Sequence, residues 1–426
     1  MIYQFEIFRN LTFSERKTFH IHLAYSIIEG IILGVLALNE FVFIKSMKGT
    51  SYQLSFLFQF GVIVMLFSVL LNEYLKRHKN LKRLLKTVAI LTRVPLLFLI
   101  LFPNDIAVLT SNPNYHFIFL TVFFIFFLAQ PIILPLINLF LKNNYEHENF
   151  GRLYSYSMVV NKLVMLLTTF LFGLLLDYDN LAFRYIYPVI GILGIISIFL
   201  LSLIRTDNIQ SDDTYTGLKD SLKKILRIIT KNKAYRDFEI GFMFYGFAFM
   251  SSKVLITLFY DKILHLNYSS TAFYSNFYVV VMILTLPLFG KLVGHLDPRK
   301  FAMITFSFML LTILFTSLTE YFPFVHEMLG IKLYYLLMIA SLFYGLFGAS
   351  MTMLWHIGSA YFCSNREAAT YQSIHLSLTG LRGLFAPLIG IFLLEISNFK
   401  IAFGIGMLSV LIAIVLMKYS IGNSAK

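Results

Sequence analysis

Apolar runs of roughly 20 residues, separated by short polar breaks, recur from one end of the chain to the other. A helix rises about 1.5 Å per residue, so a run of about 20 spans the roughly 30 Å of hydrocarbon in a bilayer. Twelve such runs can be read, with cores near 21–44, 53–73, 87–103, 115–140, 153–176, 184–204, 238–260, 271–293, 301–319, 332–358, 371–394 and 398–418. The pattern therefore predicts an all-α polytopic membrane protein with twelve transmembrane helices.

The pattern is also written twice. After the second run comes "NEYLKRHKNLKRLLK" and after the eighth "GKLVGHLDPRKFAM", and one offset superposes them (295 − 78 = 217). It sets His78 on His295, Asn80 on Asp297 and Lys82-Arg83 on Arg299-Lys300. The same 217 carries Tyr154 to Tyr371 and Gly173 to Gly390, in the fifth and eleventh runs. Two six-span halves follow, 1–204 and 238–426, joined by a cytoplasmic segment 205–237. Within that segment Leu218, Leu222, Ile225 and Ile229 form one stripe, with Lys219, Lys223, Lys224, Arg227 and Lys231 largely elsewhere. This predicts a basic amphipathic helix, suited to the anionic inner leaflet or to a tether between the halves.

"GKLVGHLDPRK" (290–300) resembles the loop signature of the major facilitator superfamily: Gly, three residues, Asp-Arg, then a Gly and a basic pair. Gly290 and Arg299-Lys300 match, while Gly294, His295 and Asp297 stand where the family has Asp, Arg and Gly. The first-half copy keeps the pair Lys82-Arg83. The resemblance implies two six-helix bundles that rock about a binding site at mid-depth and a gating role for Gly290, Asp297, Arg299, Lys300, Lys82 and Arg83, and a monomer is expected. It also implies a cavity lined by spans one, four, seven and ten, with five, eight and eleven contributing.

Composition agrees with the pattern. Of 426 residues 58% are hydrophobic and 13% charged, far too little charge to cover a soluble globule of this size. The net charge of +13 does not call for a nucleic acid, because most of the 35 Lys and Arg fall in alternate loops. That asymmetry predicts cytoplasmic N- and C-termini in a cytoplasmic membrane. Cys363 is the single cysteine, so neither a disulfide framework nor a cysteine metal site is expected. No metal-ligand cluster, nucleophile elbow or phosphate loop appears, and neither enzymatic activity nor a cofactor is expected.

The candidate chemistry lies in charges placed inside the runs. An ionisable group at mid-span costs roughly 2.5–3.5 kcal/mol on insertion scales. Arg93 is close to the inner end of its run and is expected to snorkel, and Glu40 is close to an outer end. Glu29, Lys162, Lys253 and Arg382 lie deeper, each on a helical stripe of polar neighbours such as Tyr371, His375, Thr379 and Arg382. Three deep cations against one deep carboxylate leave positive charge unbalanced. On that ground Arg382, Lys162, Lys253, His375 and Gln130 are the expected substrate contacts, Gln130 because Pro131 and Pro135 kink its helix. Glu29 is the expected proton-coupling carboxylate. The expected function is secondary transport of a small organic anion or zwitterion, with protons as coupling ion. The alternatives are proton-driven efflux of lipophilic compounds and, in another class, a sensor or enzyme on a transporter scaffold.

Overall fold

The computed structural model describes residues 11–66, 80–205, 227–293, 296–363 and 368–424. The stripe read between Leu218 and Lys231 falls largely outside the described residues, as do His78, Gly294 and His295. In chain order the helices are α1 (Phe13–Leu36), α2 (Asn39–Lys45), α3 (Ser51–Leu66), α4 (Leu81–Leu97), α5 (Ile106–Ser111), α6 (Pro113–Phe127), α7 (Gln130–Asn144), α8 (His147–Tyr178) and α9 (Phe183–Leu201). They continue as α10 (Lys233–Lys262), α11 (Tyr268–Val293), α12 (Pro298–Leu318), α13 (Tyr335–Ile357), α14 (Ala368–Ile396) and α15 (Phe399–Ser424). Among the described residues eleven helical segments are long and apolar enough to cross a membrane, and Ser51–Val64 is a shorter apolar helix. The twelve predicted spans are therefore accounted for, span four as the pair α6 and α7. Its break falls at Leu128–Ala129, where Pro131 has no N–H to return to Phe127.

Contacts sort the chain into two compact units, 1–49 with 67–214 and 50–66 with 215–426. In unit 1, α1 packs along α8, and α9 packs on α4 and α1. A Cβ on Gly30 or Gly34 would come within 2.6 Å of Asn161 O or Thr168 Cβ, so these glycines let α1 and α8 approach closely. Phe19, Leu85, Ala89, Ile133, Phe140, Leu153 and Leu201 form a core at one end of the unit.

In unit 2 the same pairings recur: α10 along α14, and α15 on α12 and α10. The helix of span two, α3, belongs here and not with its own sequence half. Gln59 Nε2 donates to Leu384 O at 2.6 Å, and Gly383 leaves room for Val62.

Among the described residues one regular element is not helical. Between α12 and α13 the chain forms an antiparallel hairpin, β1 (Val325–Met328) with β2 (Ile331–Tyr334). Its two-residue turn places Leu329 and Gly330 at φ of 53° and 75°, the left-handed pair that a tight hairpin needs.

The repeat read from sequence has a direct structural expression. Asn80 caps α4 by accepting from Arg83 N at 3.0 Å, and Asp297 caps α12 by accepting from Arg299 N at 2.8 Å. The offset of 217 thus joins two N-caps at the start of the third and ninth spans.

Candidate substrate and proton sites

Each unit carries its own buried polar cluster. In unit 1, Glu29 is central to the apolar segment Phe13–Lys45, 16 residues from either end (29 − 13 = 45 − 29 = 16). Ser197 Oγ on α9 donates to Glu29 Oε1 at 3.0 Å. Arg93 on α4 is within electrostatic reach of the same carboxylate. It does not snorkel: Arg93 is 6% exposed, its Nη1 donates to Thr92 Oγ1 at 2.6 Å, and its guanidinium carbon is 4.7 Å from the Phe126 ring centre. Close packing holds it there, since a Cβ on Gly194 would be 2.9 Å from Arg93 Cγ. Counting residues from the inner end missed this, because α4 enters the fold with that face turned to α9.

Lys162 on α8 is different. It lies nine residues into the apolar segment Leu153–Tyr178 (162 − 153 = 9), about 14 Å along the helix. Its Nζ reaches the Met165 thioether at 3.7 Å and no carboxylate among the described residues. Gln130, half-buried, opens α7 at the break in span four.

In unit 2, sequence reasoning missed a buried carboxylate. Glu239 is only six residues from the start of α10 (239 − 233 = 6), where an exposed position would be expected, yet it is 4% exposed. Its two oxygens lie 3.0 and 3.1 Å from His375 Nδ1. Facing a carboxylate, Nδ1 carries the hydrogen and donates. The Phe242 and Trp355 rings pack edge-on against the imidazole at 4.8 and 4.6 Å, and its Nε2, also buried, has no hydrogen-bond partner among the described residues. The Trp355 ring thereby covers His375.

Arg382 answers to α10. Its Nη1 donates to Phe242 O, its guanidinium carbon is 5.8 Å from the Tyr245 ring centre, and Nε is buried without a hydrogen-bond partner among the described residues. Gly246 makes the fit possible, because a Cβ there would be 2.2 Å from the guanidinium carbon. The expected free grip on a ligand is therefore not what Arg382 displays. It is buried within one unit as a tie between α14 and α10, and His375 is likewise committed to Glu239. Lys253, by contrast, is exposed, with its Nζ 5.2 Å from the Phe58 ring centre of α3.

The expected loop residues divide in the same way. Arg299 is buried, donating to Asp297 Oδ2 at 2.9 Å and to Ser420 O of α15 at 3.0 Å, whereas Gly290, Lys300 and Arg83 are exposed and Lys82 half-buried. Partial burial acts to raise the Asp297 carboxyl. Hydrogen bonds from the Arg299 side chain and backbone, with the charges of Arg299 and Lys300, outweigh it and hold the carboxyl below its ordinary value.

Spans one and five are thus paired within unit 1, and spans seven and eleven within unit 2. The family profile described as Major Facilitator Superfamily matches residues 18–326 and 240–425. The chain belongs to the Major Facilitator Superfamily. No curated protein sequence matches it. Among solved structures it is similar to a variant of the nucleoside transporter NupG (TM-score 0.70, 13% identity, covering 96% of this chain and 99% of that one). It is also similar to a POT family transporter in complex with 5-aminolevulinic acid (0.69, 9%, 94% and 96%) and to a peptide transporter POT in complex with sulfate (0.68, 12%, 96% and 94%). At these identities the likeness is one of fold. This superfamily protein is an integral membrane transporter by family, with alternating access as the mode typical of the fold.

Proposed function

We propose that this transporter moves a small organic anion or zwitterion with protons as the coupling ion, with Lys162 of unit 1 and Lys253 of unit 2 each offering a cationic contact. The single observation that supports the reading is Lys162: a mid-span ammonium whose near partner is a thioether. Burying a cation without a counter-charge costs several kcal/mol, and a bound carboxylate or phosphate removes that cost. The charge balance that sequence suggested shifts accordingly. Glu29 stands with Arg93, and Glu239 with His375 and Arg382, so the cations left over are the two lysines. A nucleoside, peptide or amino-acid-like solute in the similar structures belongs to those proteins, but a carboxylate-bearing zwitterion is the cargo these lysines suit best.

For protons, Glu29 remains the preferred carrier. Its carboxylate has one hydroxyl donor and one buried cation near it, so gain or loss of a proton changes what holds α1, α4 and α9 together. The charge asymmetry of the loops supports cytoplasmic termini. The test is uptake into proteoliposomes of a panel of carboxylates, zwitterions, neutral solutes and organic cations under an imposed pH gradient. The proposal expects accumulation of one of the first two classes, collapsing with the gradient. Accumulation of cations or lipophilic compounds alone would establish the efflux alternative instead.

A further inference from the structure

The first two turns of α12 and the last turns of α15 border an open cleft to which the transport reading assigns no ligand. Leu296, Met303, Ile304 and Ile421 form its walls, Lys300 and Lys418 also line it, and its volume is about 420 Å³. Both lysines are exposed and have no carboxylate partner among the described residues. The nearest acid along the chain, Asp297, is committed: its Oδ1 and Oδ2 accept from the Arg299 side chain at 3.1 and 2.9 Å. The same Arg299 fixes the walls, since its Nη1 donates to Ser420 O and Oγ at 3.0 and 3.2 Å and so pins α15 to the start of α12. The cleft is a preformed feature of unit 2.

Its chemistry is amphiphilic. Four apolar side chains with two ammonium groups suit a ligand that is apolar along its body and anionic at its head. A free phosphate would meet the lysines and leave Leu296, Met303, Ile304 and Ile421 against water. The place is also right, because α12 begins and α15 ends here, which puts the lysines at the level where hydrocarbon gives way to headgroups. We infer that this cleft is a binding site for an anionic phospholipid, its phosphodiester between Lys300 and Lys418 and the start of an acyl chain on the apolar walls. The inference rests on the membrane reading of the spans and not on the cargo or the coupling ion. The leaflet is the one in which α12 begins, the inner one under the loop-charge orientation.

The test uses the full-length protein purified in a mild detergent. Native mass spectrometry counts retained lipid, and thermal unfolding is followed with added phosphatidylglycerol, phosphatidylcholine or inorganic phosphate. Phosphatidylglycerol is expected to stay bound and to raise the melting temperature by several degrees, with little effect of the other two. Lys300→Gln with Lys418→Gln is expected to weaken retention at least tenfold, and Lys300→Arg with Lys418→Arg to preserve it. Met303→Trp, which fills the cleft and leaves both charges, is expected to reduce retention as well and guards against a charge variant that fails to fold. Equal retention of phosphatidylcholine, an equal effect of inorganic phosphate, or retention unchanged in both the double Gln variant and Met303→Trp would overturn the inference.

Discussion

Glu29→Gln keeps an acceptor for Ser197 Oγ and removes the negative charge that Arg93 meets in the interior of unit 1. If Glu29 carries the coupled proton, accumulation driven by a pH gradient is lost while substrate counterflow, which needs no net proton movement, persists; measuring both in the same proteoliposomes separates the two. Loss of counterflow as well would assign Glu29 to structure or substrate instead. Asp297 offers a second test at a single side chain. Its folded-state carboxyl is held below its ordinary value, so the stability it contributes is whole above about pH 4 and is lost as pH falls through the depressed value. Asp297→Asn should therefore flatten the acid side of a melting-temperature profile against pH, and Asp297→Ala should add the loss of the α12 cap, about 1 kcal/mol. Individual charges were the least legible part of the sequence. Arg93 and Arg382 read alike as arginines in apolar runs, and only packing distinguishes a cation beneath Gly194 or Gly246 from an ammonium left with a thioether. Glu239 escaped notice because distance along a helix does not give burial when a neighbouring helix covers that turn.

Helices were legible where length and apolarity decide, and less so where side chains decide which helix meets which. The twelve runs and the break beside Pro131 could be read directly. The assignment of α3 to unit 2 could not, since it depends on Val62 meeting Gly383 and Gln59 reaching a carbonyl of α14. Nor could the β1–β2 hairpin, whose short strands lie in what reads as a loop. The α10–α14 seam makes a quantitative prediction. Gly246→Ala should displace the Arg382 guanidinium and destabilise the protein by about 1–3 kcal/mol, as overpacking does. In an Arg382→Ala background most of that cost should vanish, giving a coupling of about 0.5–3 kcal/mol by thermal unfolding. Additive effects would mean that the guanidinium is not seated where α10 lacks a side chain.

For the molecule as a unit, the duplication was the clearest message of the sequence, and the matching caps of Asn80 and Asp297 give its physical basis: the same helix start is built twice. The repeat does not extend to the charges. His22 stands 217 positions before Glu239 (239 − 22 = 217), and its ring meets Tyr145 Oη at 3.2 Å where Glu239 meets an imidazole. One scaffold thus carries two different polar clusters, leaving lysines without acidic partners as the feature that asks for a ligand. The most direct measurement is uptake of the carboxylate or zwitterion identified by the panel, compared among wild type, Lys162→Ala and Lys253→Ala in proteoliposomes under one pH gradient. The account predicts at least a tenfold fall, about 1.4 kcal/mol, in the apparent affinity for that substrate in Lys162→Ala. Undiminished uptake in both variants, with normal folding, would contradict it.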